Sequence, residues 1–208
     1  MGILMHAWVV IAIFLGLFGA FMLWYGGNGK PLTPDEIEHY LHLLSQTSSA
    51  KEGHADLEEI RALVQKDDGR EFIMHNLVRY RKKALYPEGK AYTNDPRVAD
   101  RRYGRLLMPH LLRYGGLPVM FAKRTGTFIT PDGADAWSYI AQVRYRSRRD
   151  FLRFVLAIST HEVVLHKWAA LEKTHVFPVN PALSLFMMRT TVFLALFSMC
   201  LIVLLAIS

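Results

Sequence analysis

The chain has one cysteine, Cys200, and no charged side chain before Lys30 or after Arg189. A single thiol excludes an intramolecular disulfide and any paired-cysteine metal or redox motif, and it leaves the redox compartment open. His-Glu-x-x-His, Gly-x-Ser-x-Gly and a phosphate-binding glycine loop are missing too. Their absence removes the short signatures of zinc peptidases, α/β-hydrolases and P-loop nucleotidases. There is no internal repeat and no low-complexity tract. All 25 Lys and Arg and all 18 Asp and Glu are confined to the central stretch, and the two ends are apolar.

Those ends are residues 3–25 and about 190–207. Each approaches the roughly 20 apolar residues that a helix needs to cross about 30 Å of hydrocarbon. The first run has no basic n-region and no small-x-small cleavage site, so it reads as a retained span rather than a cleaved signal. Trp24 and Tyr25 sit where an aromatic belt belongs, and Trp8 marks the other interface. His6 reads as a wet interfacial residue. Gly16 and Gly19 allow another helix to come close. Lys30 and Arg189 flank the runs on the side of the central stretch. The positive-inside rule then puts that stretch in the cytoplasm of an inner (cytoplasmic) membrane, with both termini outside.

The middle is read from its caps. Thr33-Pro34-Asp35-Glu36 opens a helix with a capping box and proline at the first helical position. A second helix covers 56–66, with Leu57, Ile60, Leu63 and Val64 at helical spacing and a polar loop 46–53 before it. Residues 71–80 read as a strand. Asp95-Pro96 opens a helix that Gly115-Gly116 closes, with Pro109 predicting a kink inside it. Residues 117–129 hold a second strand, and Pro131-Asp132-Gly133 is a turn signal. Residues 137–145 alternate, with Trp137, Tyr139, Ala141, Val143 and Tyr145 on the core face and Ser138, Ile140, Gln142 and Arg144 on the more polar one. Ser147 to Asp150 caps another helix, a further helical stretch covers about 160–171, and 173–179 is a last strand. The organisation is thus a span with a flexible glycine-rich exit (1–29), a helical linker region (30–69), an α+β domain (70–180) and a second span (181–208).

The order strand, helix, strand, strand, helix, strand is that of a split βαβ, ferredoxin-like domain. Phe72–Tyr80 (FIMHNLVRY), the Gly115-Gly116-Leu117-Pro118-Val119 segment and residues 137–151 (WSYIAQVRYRSRRDF) resemble the dimeric α+β barrel superfamily. Within it they are most similar to a branch known only as a domain of unknown function. The likeness rests on Asn76-Leu77-Val78-Arg79-Tyr80 closing the first strand, on the Gly-Gly after the first helix of the motif, and on the Val-x-Tyr-x-Ser-Arg-x-x-Phe run at 143–151. It covers about half of the chain. It implies dimerisation, with two sheets facing each other around a pocket. The superfamily includes haem-degrading monooxygenases, haem peroxidases and isomerases.

Facing sheets set the candidate pocket. His75 or Asn76 points into it, according to register. Gln142 and Arg144 come from the third strand and His175 from the fourth. In the 4-1-3-2 sheet order, the third strand ends on the side where the fourth ends, just before the second span. Arg144, Arg146, Arg148 and Arg149 are therefore expected to form a basic cluster that seats the domain on anionic lipid, each gaining up to ~1 kcal/mol. Arg79, Arg81, Lys82 and Lys83 form a second basic run at the opposite end, read as a solvated loop. His39 and His42 share a helix face without a third ligand, and His161 and His166 do not converge, so no metal site is expected.

No acid, base or metal set converges. The expectation is a non-catalytic accessory, assembly or scaffold subunit without a cofactor. Its partners are membrane lipids, further copies of itself (a dimer or a multiple of one) and subunits of a membrane complex. A net charge of +7 is accounted for by the lipid surface, with no nucleic acid needed. The alternative is a membrane-tethered monooxygenase-like or haem-binding enzyme, with His75 or His175 on the haem, acting on an apolar substrate from the bilayer.

Overall fold

The structure, a computed structural model, describes residues 2–47, 56–90, 92–159, 162–181 and 188–207. It divides into two compact units. One comprises residues 1–28 and 181–208, the other residues 29–180.

The first unit is a pair of helices, α1 (Gly2–Gly26) and α7 (Met188–Ile207). Both are long and apolar enough to cross a membrane. Their apolar side chains are distributed all round, so neither helix has a polar face to give to water. They meet through Phe18 and Phe193, whose rings lie edge to face at 5.4 Å, and through Arg189, whose guanidinium sits 4.8 Å from the centre of the Tyr25 ring. Most of the remaining surface is bare hydrocarbon: Leu23 is 77% exposed and Leu205 76%.

The second unit begins with α2 (Pro34–Ser45) and α3 (Leu57–Gln65). The capping box at Thr33 and Glu36 forms as the sequence indicates, and Asp56 caps α3. Then follow β1 (Phe72–Tyr80), α4 (Pro96–Arg113), β2 (Leu117–Lys123), β3 (Tyr139–Tyr145), α5 (Arg148–Ser159), α6 (Val163–Ala170) and β4 (Leu171–Val179). The four strands make one antiparallel sheet in the order β2-β3-β1-β4. Pro118 and Pro178 fall on the two edge strands, where a missing N–H is tolerated.

Strand alternation puts Phe72, Met74 and Val78 of β1, with Val143 and Tyr145 of β3, under the helices. They pack there with Leu111, Phe154, Ile158 and Val163. Residues 30–69 are more than a linker. Leu32, Ile37, Leu41, Leu44 and Val64 form their own core with Leu152 of α5, so α2 and α3 are part of the folded unit. The second strand stops at Lys123, six residues short of its expected end, because β3 pairs with it only from Tyr139 onward. The expected start of the helix near 160, and most of the loop 46–53, lie outside the described residues, as does His161.

Both links to the apolar helices leave the sheet at the same end. Gly29 lies against Gly69, just before β1, and Val179 pairs with Ile73.

Candidate functional site

Among the described residues of this unit, one face of the sheet is covered by helices and the other is uncovered. Cross-strand pairing sets His75 opposite Gln142 and Phe177, Leu77 opposite Ile140 and His175, and Ile73 opposite Arg144 and Val179. None of Ile73, Leu77, Ile140, Met120 and Phe177 belongs to the buried clusters described above. They form an apolar field around one polar pair. His75 Nδ1 lies 3.0 Å from Gln142 Nε2. The His75 ring stacks on Phe177 at 5.1 Å, and His175 reaches the same phenyl ring at 4.9 Å.

Register settles which residue of the His75-Asn76 step faces outward. His75 does. Asn76 turns to the helix side, where its amide donates to the carbonyls of Met74 and Ala141. Of the five pocket candidates, His75, Gln142 and His175 come together through Phe177. Arg144 shares their face but is only 3% exposed and is held elsewhere. It donates to Glu71 Oε2 at 2.8 and 2.5 Å and to the Gly115 carbonyl at 3.3 Å.

Its neighbours in the arginine run are engaged in the same way. Arg146 takes Asp150 in a two-point contact at 2.7 and 3.1 Å. Arg148 bridges Asp67 and Asp68 at 3.3 and 3.1 Å. Arg149 grips Glu36 at 2.7 Å and donates to the carbonyls of Lys30 and Pro31, both at 3.0 Å. Arg148 and Arg149 are 9% and 7% exposed. The run expected at a headgroup layer is thus an internal brace, with its charge directed at carboxylates. Arg149 beside Glu36, helped by the Thr33 amide, holds that carboxyl down to about 2. The brace also fixes the exit from the first apolar helix. Leu32 N–H donates to Asp67 Oδ2 at 2.7 Å. From Lys30 onward this segment is tied down rather than flexible.

Two polar groups carry no assigned role in the sequence reading, one half-buried and one buried. Asp100 of α4 accepts from the Tyr80 hydroxyl at 2.7 Å and the Tyr139 hydroxyl at 3.2 Å, and burial raises its pKa. His166, 2% exposed, meets the Tyr86 hydroxyl through Nδ1 at 2.9 Å, and burial lowers its pKa. Each is satisfied inside the core, which is what packing alone requires of a buried polar group. Only the three-residue spacing of Asp100 to the half-buried Tyr103 hints at this in the sequence. His39 and His42 are exposed on α2, and no group of three metal-ligating side chains gathers among the described residues. In the second basic run, Arg79 pairs with Asp135 at 3.0 Å and Arg81 donates to the Trp168 carbonyl at 3.2 Å.

No family model matches the chain, and no curated protein matches it. Solved structures do. One is RPA0582, a protein of unknown function from Rhodopseudomonas palustris studied as a structural-genomics target. It aligns with a TM-score of 0.53 at 27% identity, over 61% of this chain and 92% of that one. A methylated form of RPA0582 aligns with a TM-score of 0.52 at 29% identity, over 62% and 90%. The α+β sheet fold of this chain therefore has solved counterparts, and they are themselves of unknown function.

Proposed function

We propose that this chain is an integral membrane protein acting as a non-catalytic accessory, assembly or scaffold subunit. Its ferredoxin-like domain, of the dimeric α+β barrel type, seats a second copy on the uncovered sheet face. The observation that carries this reading is that face. Ile73, Leu77, Ile140, Met120 and Phe177 surround a polar centre whose two members already bond to each other. An apolar field with a satisfied centre can be covered by another sheet without stranding a polar group. The membrane assignment is supported by two helices that are apolar on all sides and almost wholly unburied. Lys30 and Arg189, flanking them, favour a cytoplasmic domain with both termini outside an inner membrane.

Native mass spectrometry of protein extracted gently from its own membrane, with an absorption spectrum of the same sample, tests the proposal. A homodimer, its multiple, or a hetero-complex without chromophore is the expected result. A monomer, or a dimer carrying haem or a stoichiometric apolar ligand between its sheets, would replace this reading with that of a membrane-tethered enzyme.

A further inference from the structure

The hairpin joining β2 to β3 builds a cleft at one end of the uncovered sheet face, where it shares Ile140 with the surface proposed above to seat a second copy. The strands end at Lys123 and begin again at Tyr139, leaving a loop over 124–138. At its base lies a cleft of about 360 Å³, within the roughly 300–1,000 Å³ of small-molecule sites. The geometry points to a binding site for a small amphipathic anion: a flat apolar body carrying a single carboxylate or sulfonate.

The floor is apolar. Ala122 and Ile140 face each other across the two strands. Trp137 supplies an aromatic wall, while Tyr139, next to Ile140 in β3, turns its ring to the helix side, where it packs against Phe121 at 4.7 Å. A planar body fits such a wall, and aromatic stacking rewards it.

The charge is selective. Asp135 is the one acidic residue lining the cleft, and two cations already occupy it: Lys173 at 2.6 Å and Arg79 at 3.0 Å. Lys173 first, then Arg79, hold its carboxyl below the usual range. A cationic ligand therefore meets no available carboxylate. On the rim stand Lys123 and Arg124, and neither has an ion pair among the described residues. Arg124 instead donates Nε to the Gly126 carbonyl at 3.1 Å and another nitrogen to the Thr127 hydroxyl. These neutral acceptors orient the guanidinium without cancelling its charge. Its other N–H groups keep the planar fork that matches a carboxylate or sulfonate. In the same loop, Phe128 is 98% exposed and Ile129 81%.

The test is calorimetric titration of the full-length protein, held in nanodiscs of zwitterionic lipid, with 2-naphthoate and with 2-naphthylmethanol, each against empty nanodiscs. The two probes share a ring system and differ in charge. The expected result is 1:1 binding of the acid, about ten-fold or more tighter than the alcohol, the order expected of one charge-assisted hydrogen bond. The double variant K123Q/R124Q is expected to bring the acid down to the affinity of the alcohol, and Ala122→Trp, which fills the cleft, to abolish binding of both. Equal affinity for acid and alcohol, no saturable heat with the acid, or full affinity retained in both variants would overturn the assignment. The acid-to-alcohol comparison needs only the wild-type chain, so a variant that fails to fold does not blunt the test.

Discussion

The arginine run at one end of the sheet and the hairpin cations at the other meet different surroundings. Where β1 begins, Arg144, Arg146, Arg148 and Arg149 all close on carboxylates, and three of them are nearly inaccessible. Where β2 turns toward β3, Lys123 and Arg124 have no acidic partner among the described residues, and the loop beyond them holds Phe128 and Ile129 out in solvent. The first end spends charge on internal order and the second leaves charge and apolar surface accessible. A basic run in a sequence is therefore a statement about composition. Whether it is a surface depends on partners that lie far away along the chain.

The contrast is broken most directly at Asp67, 2% exposed on its side chain. Asp67→Ala strips Arg148 of its buried partner and Leu32 of its acceptor. The expected loss is about 3–5 kcal/mol, the range for orphaning one member of a buried pair, read from denaturant unfolding of the central unit. A loss below about 1 kcal/mol would mean the arginine brace is not holding the fold.

Glycine substitutions sharpen the same comparison. Gly69 has a φ of +72°, and a Cβ there would sit 2.5 Å from the Gly29 carbonyl oxygen, a backbone atom. Gly133, in the hairpin loop, has a φ of +74° and open space around it. Gly69→Ala is expected to cost the left-handed strain of about 1–2 kcal/mol plus displacement of the 29–32 segment, and Gly133→Ala the strain alone. Faster amide exchange at Lys30 and Leu32 in the first variant and not in the second is the measurement.

A smaller effect is pH-dependent. Glu36 titrates at about 2 in the folded unit, against an ordinary 4.5. Its pKa is depressed by folding, so its contribution is fully present above about pH 4.5 and is lost as pH falls toward 2. Stability measured across that window should flatten in Glu36→Gln relative to wild type. An unchanged slope would show that Glu36 and Arg149 are not coupled in solution. The smallest effect belongs to Arg124→Gln, which should change stability by no more than about 0.5 kcal/mol, as an exposed residue without an ion pair does.

Local features were legible in the sequence and non-local ones were not. The two apolar helices, the Thr33 capping box, the Pro96 helix start and the alternation of β3 follow from neighbours in sequence. Phe128 and Ile129 have strong strand propensity, yet no strand lies beside them, and propensity without a partner does not make a ladder. The arginine run pointed outward on composition alone. Glu71, Asp67 and Glu36, which turn it inward, lie 73, 81 and 113 residues from their partners. At the candidate site, the sequence narrowed the outward position to His75 or Asn76. Deciding between them takes the parity of β1 set by Phe72 and Met74 in the core, because a one-residue slip exchanges the two faces.

The chain ends of the central unit meet: Gly29 lies against Gly69, and Val179 pairs with Ile73 four residues further on. A domain closed in this way is a cassette. Residues 29–180 can be excised, joined end to end by a short glycine-serine bridge and reopened within 124–138, giving a circular permutant with the same sheet and no apolar helices. A pull applied at Gly29 would be borne first by the Arg149 and Asp67 contacts at that corner, and the far hairpin would feel it last.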